Sequence, residues 1–339
     1  MTPEPTPAAP RPRSNKGLGL RLAILVVVLG GLLAYYQFWA ARPSGSGPAG
    51  PPVPREAFAK VWSTRPVLLL GLGDSITEGF GASQGKGYFD RLVTNPPDEF
   101  PDLQGITLKA VLPNLRDDNR STSGSTSLEH TRDQIPSIPR ADPGTLGLVV
   151  ITTGGNDIVH NYGRTPPREG AMYGATMAQA RPWIAAFEKR LETMIGQIEA
   201  LFPGGCHIFL GNIYDPTCEV GDIQNAGLPA WKDGLAIHSA YNDVIARAAE
   251  KHENVHLVDI RRAFYGHGIH CSKFWMKHYD AQDPHYWYYA NLEDPNDRGY
   301  DAIRRLFLLE ISKVISVPGG GATSPTPPGA ASGNSSGNR

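Results

Sequence analysis

An open α/β domain, a doubly wound parallel sheet with helices on both faces, is the architecture this sequence predicts, and three observations predict it. Short runs rich in Val, Leu and Ile recur at 67–72, 148–153, 207–213 and 255–259, near-continuous in the way of strands buried on both faces. Segments with apolar residues at helical spacing fall between and after them, clearest at 178–201, 237–250 and 301–315. Strand and helix patterns alternate along the chain, with one further strand expected at about 107–111, and such alternation argues for parallel strands joined by crossover helices.

Taken in order, the chain begins with 1–21, which carries Arg11, Arg13, Lys16 and Arg21. The next run, 22–41, has no charged residue and is rich in Leu, Val and Ala. It matches the roughly 20 residues of helix that cross a bilayer, and Tyr35, Tyr36 and Trp39 lie toward its end as interfacial aromatics do. Basic residues before the run predict a single-pass signal anchor with the N-terminus in the cytoplasm and the domain extracytoplasmic. A cleaved signal peptide is the alternative, although no Ala-x-Ala site follows the run. Residues 42–54, dense in Pro, Gly and Ser, read as a semi-stiff linker. The domain occupies 55–316, and 317–339 reads as a disordered tail.

The strand expected at 67–72 runs into Gly73-Asp74-Ser75-Ile76-Thr77-Glu78-Gly79. A sharp turn from strand to helix there puts the Ser75 hydroxyl at the carboxyl edge of the sheet, where open α/β folds bind ligands, beside backbone N–H groups of a helix start. A second group, Asn119-Arg120-Ser121-Thr122-Ser123-Gly124-Ser125-Thr126, precedes the strand expected at 148–153. That strand ends in Gly154-Gly155-Asn156-Asp157. Taken alone, Ser75 is an ordinary helix cap, Gly124 a turn glycine and Asn156 a strand-end residue.

In order and spacing, these groups resemble the first three sequence blocks of the GDSL lipase/SGNH hydrolase superfamily, over roughly 65–315. The resemblance implies a flavodoxin-like three-layer fold, Ser75 as nucleophile with Asp74 beside it in an orienting role, and Gly124 N–H with Asn156 as oxyanion donors next to the N–H of Ser75. Fixed donors that await a developing charge are each worth a few kcal/mol of barrier. The family's last block, Asp-x-x-His-Pro-Asn before the final helix, is met by Asn291-Leu292-Glu293-Asp294-Pro295-Asn296. Asp294 therefore stands where the histidine base belongs, and Asn291 where the aspartate belongs.

A serine hydroxyl is a poor nucleophile without a base. Replacement imidazoles cluster between the strand at 255–259 and the last block: His267, His270, His278 and His285. His270 and His285 are the expected bases, with Asp294 or Asp283 orienting the ring. Asp157-Ile158-Val159-His160 repeats the Asp-x-x-His spacing beside the oxyanion block and reads as accidental. His267-x-x-His270-Cys271 hints at zinc, but no second ligand cluster at finger-like spacing accompanies it.

Composition narrows the classes. The net charge is −1 with no basic run inside the domain, so nucleic acid has no electrostatic footprint. No P-loop or dinucleotide fingerprint occurs and no cofactor is expected. Cys206, Cys218 and Cys271 are odd in number; Cys206 and Cys218 can pair in an oxidising compartment, or all remain free thiols. Aromatics crowd 264–289 and suit either a sugar or acyl wall or a satellite core. The reading is a membrane-anchored serine ester hydrolase, acyl- or acetyl-esterase, acting on a small-molecule, glycan or lipid ester. A non-catalytic carbohydrate- or lipid-binding domain and an O-acyltransferase are the alternatives on the same scaffold.

Overall fold

Parallel strands β1 (Val67–Gly73), β2 (Leu115–Asn119), β3 (Leu146–Thr152), β4 (Cys206–Gly211) and β5 (Val255–Val258) form one five-stranded sheet in a computed structural model that describes residues 16–316. The expected N-terminal residues 1–15 and the tail 317–339 lie outside the described residues, and at 16–18, 38 and 39 only the backbone is described. The strand order β2-β1-β3-β4-β5 reverses direction at β1, the doubly wound arrangement the sequence predicts. Helices α1 (Lys16–Tyr35), α2 (Ser75–Glu78), α3 (Tyr88–Val93), α4 (Leu108–Val111) and α5 (Ser127–Glu129) come from the first half. Helices α6 (Gly155–Val159), α7 (Met177–Leu201), α8 (Gly234–Lys251), α9 (Ile260–Ala263) and α10 (Asp297–Ile315) complete the fold.

Alternation along each strand divides the core. Leu69, Leu148, Val150, Phe209 and Val258 face one side and pack with Tyr300, Ile303, Phe307 and Ile311 of α10. Leu70, Leu72, Val149, Ile151, Ile208 and Leu210 face the other and meet Phe187, Leu191 and Met194 of α7 with Ile237, Tyr241 and Val244 of α8.

Two expectations are corrected. The strand expected near 107–111 is helix α4, capped by the Thr107 hydroxyl, which accepts from Ala110 N. Leu108 and Val111 are buried there. The second strand lies further on, at Leu-Arg-Asp-Asp-Asn, and pairs only with β1. An edge strand half open to water needs little apolar character, so hydrophobic runs do not reveal it. Residues 42–54 are not a free spacer. Ala49 and Val53 are buried, Ala49 N donates to Asp301 Oδ2 at 3.0 Å, and Gly50, at φ 87°, lies so close to Ala302 that a Cβ would come within 2.8 Å of its Cα.

Helix α1 carries exposed Leu, Ile and Val side chains from Leu20 to Leu33 and continues as a π-helical turn, Tyr36–Ala40. Among the described residues no helix is long and apolar enough to cross a membrane. Cys206, Cys218 and Cys271 are all buried free thiols, and the Cys206–Cys218 pairing is not formed.

Helix α10 is fastened by a buried ionic network. Arg91 bridges Glu99 Oε1 (2.8 Å) and Asp301 Oδ1 (2.9 Å), while Arg304 reaches Glu99 Oε2 and Asp301 Oδ1. Burial alone would raise the Glu99 pKa, but hydrogen bonds from Arg304 and Arg91 outweigh it and hold the group down to about 2. Removing one partner of such a network strands the others without compensation in a dry interior. Glu99→Gln is expected to cost about 3–5 kcal/mol of unfolding free energy in urea; a loss below about 1 kcal/mol would show that the network contributes little.

Candidate active site

The turn after β1 begins with a steric constraint. Gly73 has φ 109°, and a Cβ there would stand 1.9 Å from the Thr152 carbonyl oxygen at the end of β3. Only glycine fits. Gln134 seals the same residue, accepting from Gly73 N at 2.7 Å and donating to Gly73 O at 2.9 Å. Asp74 then caps α2, its Oδ1 accepting from Ile76 N (3.2 Å) and from Thr152 Oγ1 (2.7 Å). Since Thr152 spends its hydrogen on Asp74, Thr77 must donate to Thr152 (2.9 Å) and Tyr88 to Thr77 (2.8 Å). This buried chain of hydroxyls joins β1, β3 and α3 beneath Ser75. Burial pushes the Asp74 carboxyl up to about 7, against the lowering effect of the Thr152 and Ile76 hydrogen bonds and with help from the nearby charge of Asp294.

The second and third sequence groups meet here. Ser123 N and Oγ both donate to Glu78 Oε2, the N–H at 2.6 Å, so the glutamate of the first group anchors the loop that carries Gly124, which is exposed at φ 78°. Asn156, second residue of α6, donates one Nδ2 hydrogen to Ser125 O at 2.8 Å and lines the same cavity as Ser75. The other hydrogen of that amide remains for a ligand. His130, absent from the sequence reading, sits between Ser125 Oγ (2.7 Å) and Thr153 Oγ1 (2.9 Å). Burial pushes its pKa down to about 4, so it is a neutral brace. Asp157 accepts from Ser127 N (2.8 Å) and Ser127 Oγ rather than pairing with His160.

At the fourth group the structure departs from the expectation of a histidine base. His270 bonds Asp222 Oδ1 at 2.8 Å through Nε2 and Lys273 at 3.0 Å through Nδ1. His285 pairs with Asp283, whose other oxygen accepts from Arg298 at 2.7 Å. His267 stacks on Trp287 at 3.5 Å between ring centroids. None of these imidazoles lines the cavity of Ser75, because the segment that carries them folds back against Pro43, α10 and its own aromatics. Asp283 is therefore not at Ser75 either. Asp294 lies near enough to the Ser75 hydroxyl for that group to lower its pKa, although no hydrogen bond joins them. Its Oδ2 accepts from Asn291 Nδ2 at 2.6 Å, and its Oδ1 is buried without a fully formed hydrogen bond. Burial raises the pKa of Asp294, the contacts of Ser75 and Asn291 lower it, and the charge of Glu78 raises it, with a net rise.

A cleft opens beside Ser75. Its wall is largely apolar, with Ile158, Ile213, Ile223, Leu228, Trp231 and Leu235, while Asp74, Ser75, Asn156 and Glu293 form the polar end. His238 also lines it, but its Nε2 is engaged by Tyr214 O at 3.1 Å and burial lowers its pKa. From α10 the Tyr300 hydroxyl donates to Phe80 O at 2.7 Å, just after the turn that follows α2. Among the described residues no group of three or more His, Cys, Asp or Glu side chains is disposed to hold a metal.

The model of the GDSL-like lipase/acylhydrolase family matches residues 72–302. Among solved structures, an extracellular lipase from Streptomyces rimosus is 20% identical, with 73% of this chain and 99% of that chain covered and a TM-score of 0.45. Phospholipase A1 from Streptomyces albidoflavus is 21% identical over 74% and 100% of the two chains, with a TM-score of 0.42. The acetylxylan esterase Axe2 from Geobacillus stearothermophilus is 20% identical over 74% and 96%, with a TM-score of 0.44. No curated protein matches the chain.

The proton on Asp74 yields a stability prediction. Its folded pKa of about 7 exceeds the reference of 3.8, so the stability the neutral acid contributes is complete below the unfolded value and is lost as pH rises through the folded one. Asp74→Asn keeps the acceptor for Ile76 N and Thr152 and cannot ionise. In urea denaturation, the variant should gain on the wild type by a few kcal/mol between pH ~4 and ~7. A difference that does not change with pH would mean that Asp74 folds ionised.

Proposed function

The chain belongs to the GDSL-like lipase/acylhydrolase family, and from that premise we propose that it is a serine ester hydrolase working through an acyl-enzyme on Ser75. The observation that carries the proposal is that Ser75 and Asn156 line one largely apolar cleft, with the buried acid Asp294 beside Ser75. The Ser75 oxygen attacks the ester carbonyl carbon; the carbonyl electron pair moves onto its oxygen, and the Ser75 N–H, the Gly124 N–H and the second hydrogen of Asn156 Nδ2 receive that charge. Collapse expels the alcohol, and water then releases the acid. An apolar wall suits an acyl chain better than a polyol, which favours acyl over acetyl esters as substrate. Neither the donors nor the nucleophile needs a metal or organic cofactor.

Location is part of the same proposal and rests on sequence. The charge-free run 22–41 behind Arg11, Arg13, Lys16 and Arg21 supports an uncleaved anchor with the domain outside the cytoplasm. Protease added to intact cells should then remove the domain while the N-terminal peptide stays protected. A soluble, N-terminally trimmed protein in the medium would mean that the run is a cleaved signal.

One observation favours a second reading, a non-catalytic binding domain: an aspartate, not a histidine, lies beside Ser75. An O-acyltransferase differs from the hydrolase only in the acceptor, a hydroxyl in place of water. The purified full chain in detergent is expected to hydrolyse p-nitrophenyl acyl esters, with Ser75→Ala lowering kcat/KM by several orders of magnitude. Turnover that survives Ser75→Ala would contradict the mechanism. Ester binding without turnover in the wild type would support the binding domain.

A further inference from the structure

We propose that Asp294, held by Asn291, is the general base for Ser75, so that a carboxylate and an amide occupy the places of an imidazole and its carboxylate. The inference rests on the serine-hydrolase reading and assigns the group which that reading leaves open.

Geometry leads to it. Asp294 sits immediately before the Pro295-Asn296 pair that starts α10. Asn296 caps that helix, its Oδ1 accepting from Arg298 N at 3.0 Å and Gly299 N at 3.1 Å. Its amide reaches Tyr286 O at 2.7 Å, and the backbone of Asp294 is held by Tyr289 N at 2.7 Å. These bonds fix the backbone that carries the Asp294 side chain. One carboxyl oxygen is occupied by Asn291 Nδ2, and Asn291 is itself oriented because its Oδ1 accepts from Asp294 N (3.2 Å) and Glu293 N (3.3 Å). The other oxygen is buried and lacks a formed hydrogen bond. An acceptor with an unfilled lone pair beside a nucleophile's hydroxyl is where its proton can go, and catalytic hydrogen bonds commonly tighten only when substrate arrives.

The chemistry balances without an added reactant. As the Ser75 oxygen bonds to the carbonyl carbon, its proton moves to Asp294 Oδ1. When the ester bond breaks, that proton goes to the departing alkoxide. In the second half water bonds to the acyl carbon and gives a proton to Asp294, which returns it to the Ser75 oxygen as the acid leaves. An ordinary carboxylate is too weak a base for this task, and the surroundings correct it. Asp74 lies under the Ser75 turn, Glu78 on α2, Glu293 on the same loop, Tyr214 after β4 and Tyr300 on α10. Burial and the charge of Glu78 raise Asp294, while Ser75 and Asn291 lower it. The charge of Asp294 in turn helps to raise Asp74, Glu293, Tyr214 and Tyr300. None of these neighbours is cationic.

The test is the rate at which a fluorophosphonate labels Ser75 in the full chain, read by intact mass, a measurement that needs no turnover. Labelling should rise with pH through a midpoint above the ordinary carboxylate range. Asp294→Asn, which keeps the shape, should slow it a hundredfold or more. The pair Asp294→His with Asn291→Asp should restore labelling, now with an imidazole's midpoint near pH 6.5. His270→Ala and His285→Ala should label within about twofold of wild type. Unchanged labelling in Asp294→Asn, or its loss in either histidine variant, would overturn the base assignment and leave the serine nucleophile standing. A wild type that Ser75→Ala shows to be unlabelled at Ser75 would overturn both.

Discussion

The ends of β1 and β3 approach so closely that position 73 has no room for a side chain, and the site follows from that contact. Because Gly73 must turn where it does, Asp74 is driven into the interior and Ser75 opens α2 at the carboxyl edge of the sheet. The Asp74–Thr152 hydrogen bond and the hydroxyl chain to Tyr88 hold the two strand ends together. The carbonyl of Gly73 also receives Ser125 Oγ at 3.1 Å and Gln134 Nε2 at 2.9 Å, so the loop bearing Gly124 is indexed to the same peptide. A doubly wound sheet places its crevice where strand order reverses, and here that point is β1 beside β3.

Desolvation is the second organising effect. Asp74, Glu293 and Asp294 all have raised pKa values with burial as the leading cause, and the charge of Asp294 adds to the rise of the other two. Such a cluster costs stability. The buried Arg91–Glu99–Arg304–Asp301 network keeps α10 in place. Tyr300 transmits that position to the Phe80 carbonyl behind Ser75. Network and site contact therefore share the first two turns of α10, where Tyr300 adjoins Asp301.

Much of this was legible in the sequence, and the parts that were not share a cause. The apolar runs of β1, β3, β4 and β5 are buried on both faces and stand out; β2, charged and at the edge, does not. That Ser75 and Asn156 lie together could be read because each follows the end of a strand. The bases His270 and His285 were expected on proximity along the chain, but local partners, Asp222 with Lys273 and Asp283 respectively, claim each ring. Spacing carries no sign of such competition. Asp294 was visible as a mismatch, yet its meaning depends on burial, which a lone aspartate in a loop does not announce. Gln134 and His130 brace the site from a stretch with no motif of its own.

The contact between Ser75 and Asp294 can be read most directly from the titration of a single carboxyl. With ¹³C-labelled aspartate and Asp294→Asn to assign the signal, the Asp294 carboxyl should titrate above the ordinary carboxylate range. Because the Ser75 hydroxyl lowers that pKa, Ser75→Ala should move it higher still. An Asp294 that titrates as an ordinary carboxylate, unmoved by Ser75→Ala, would contradict the account.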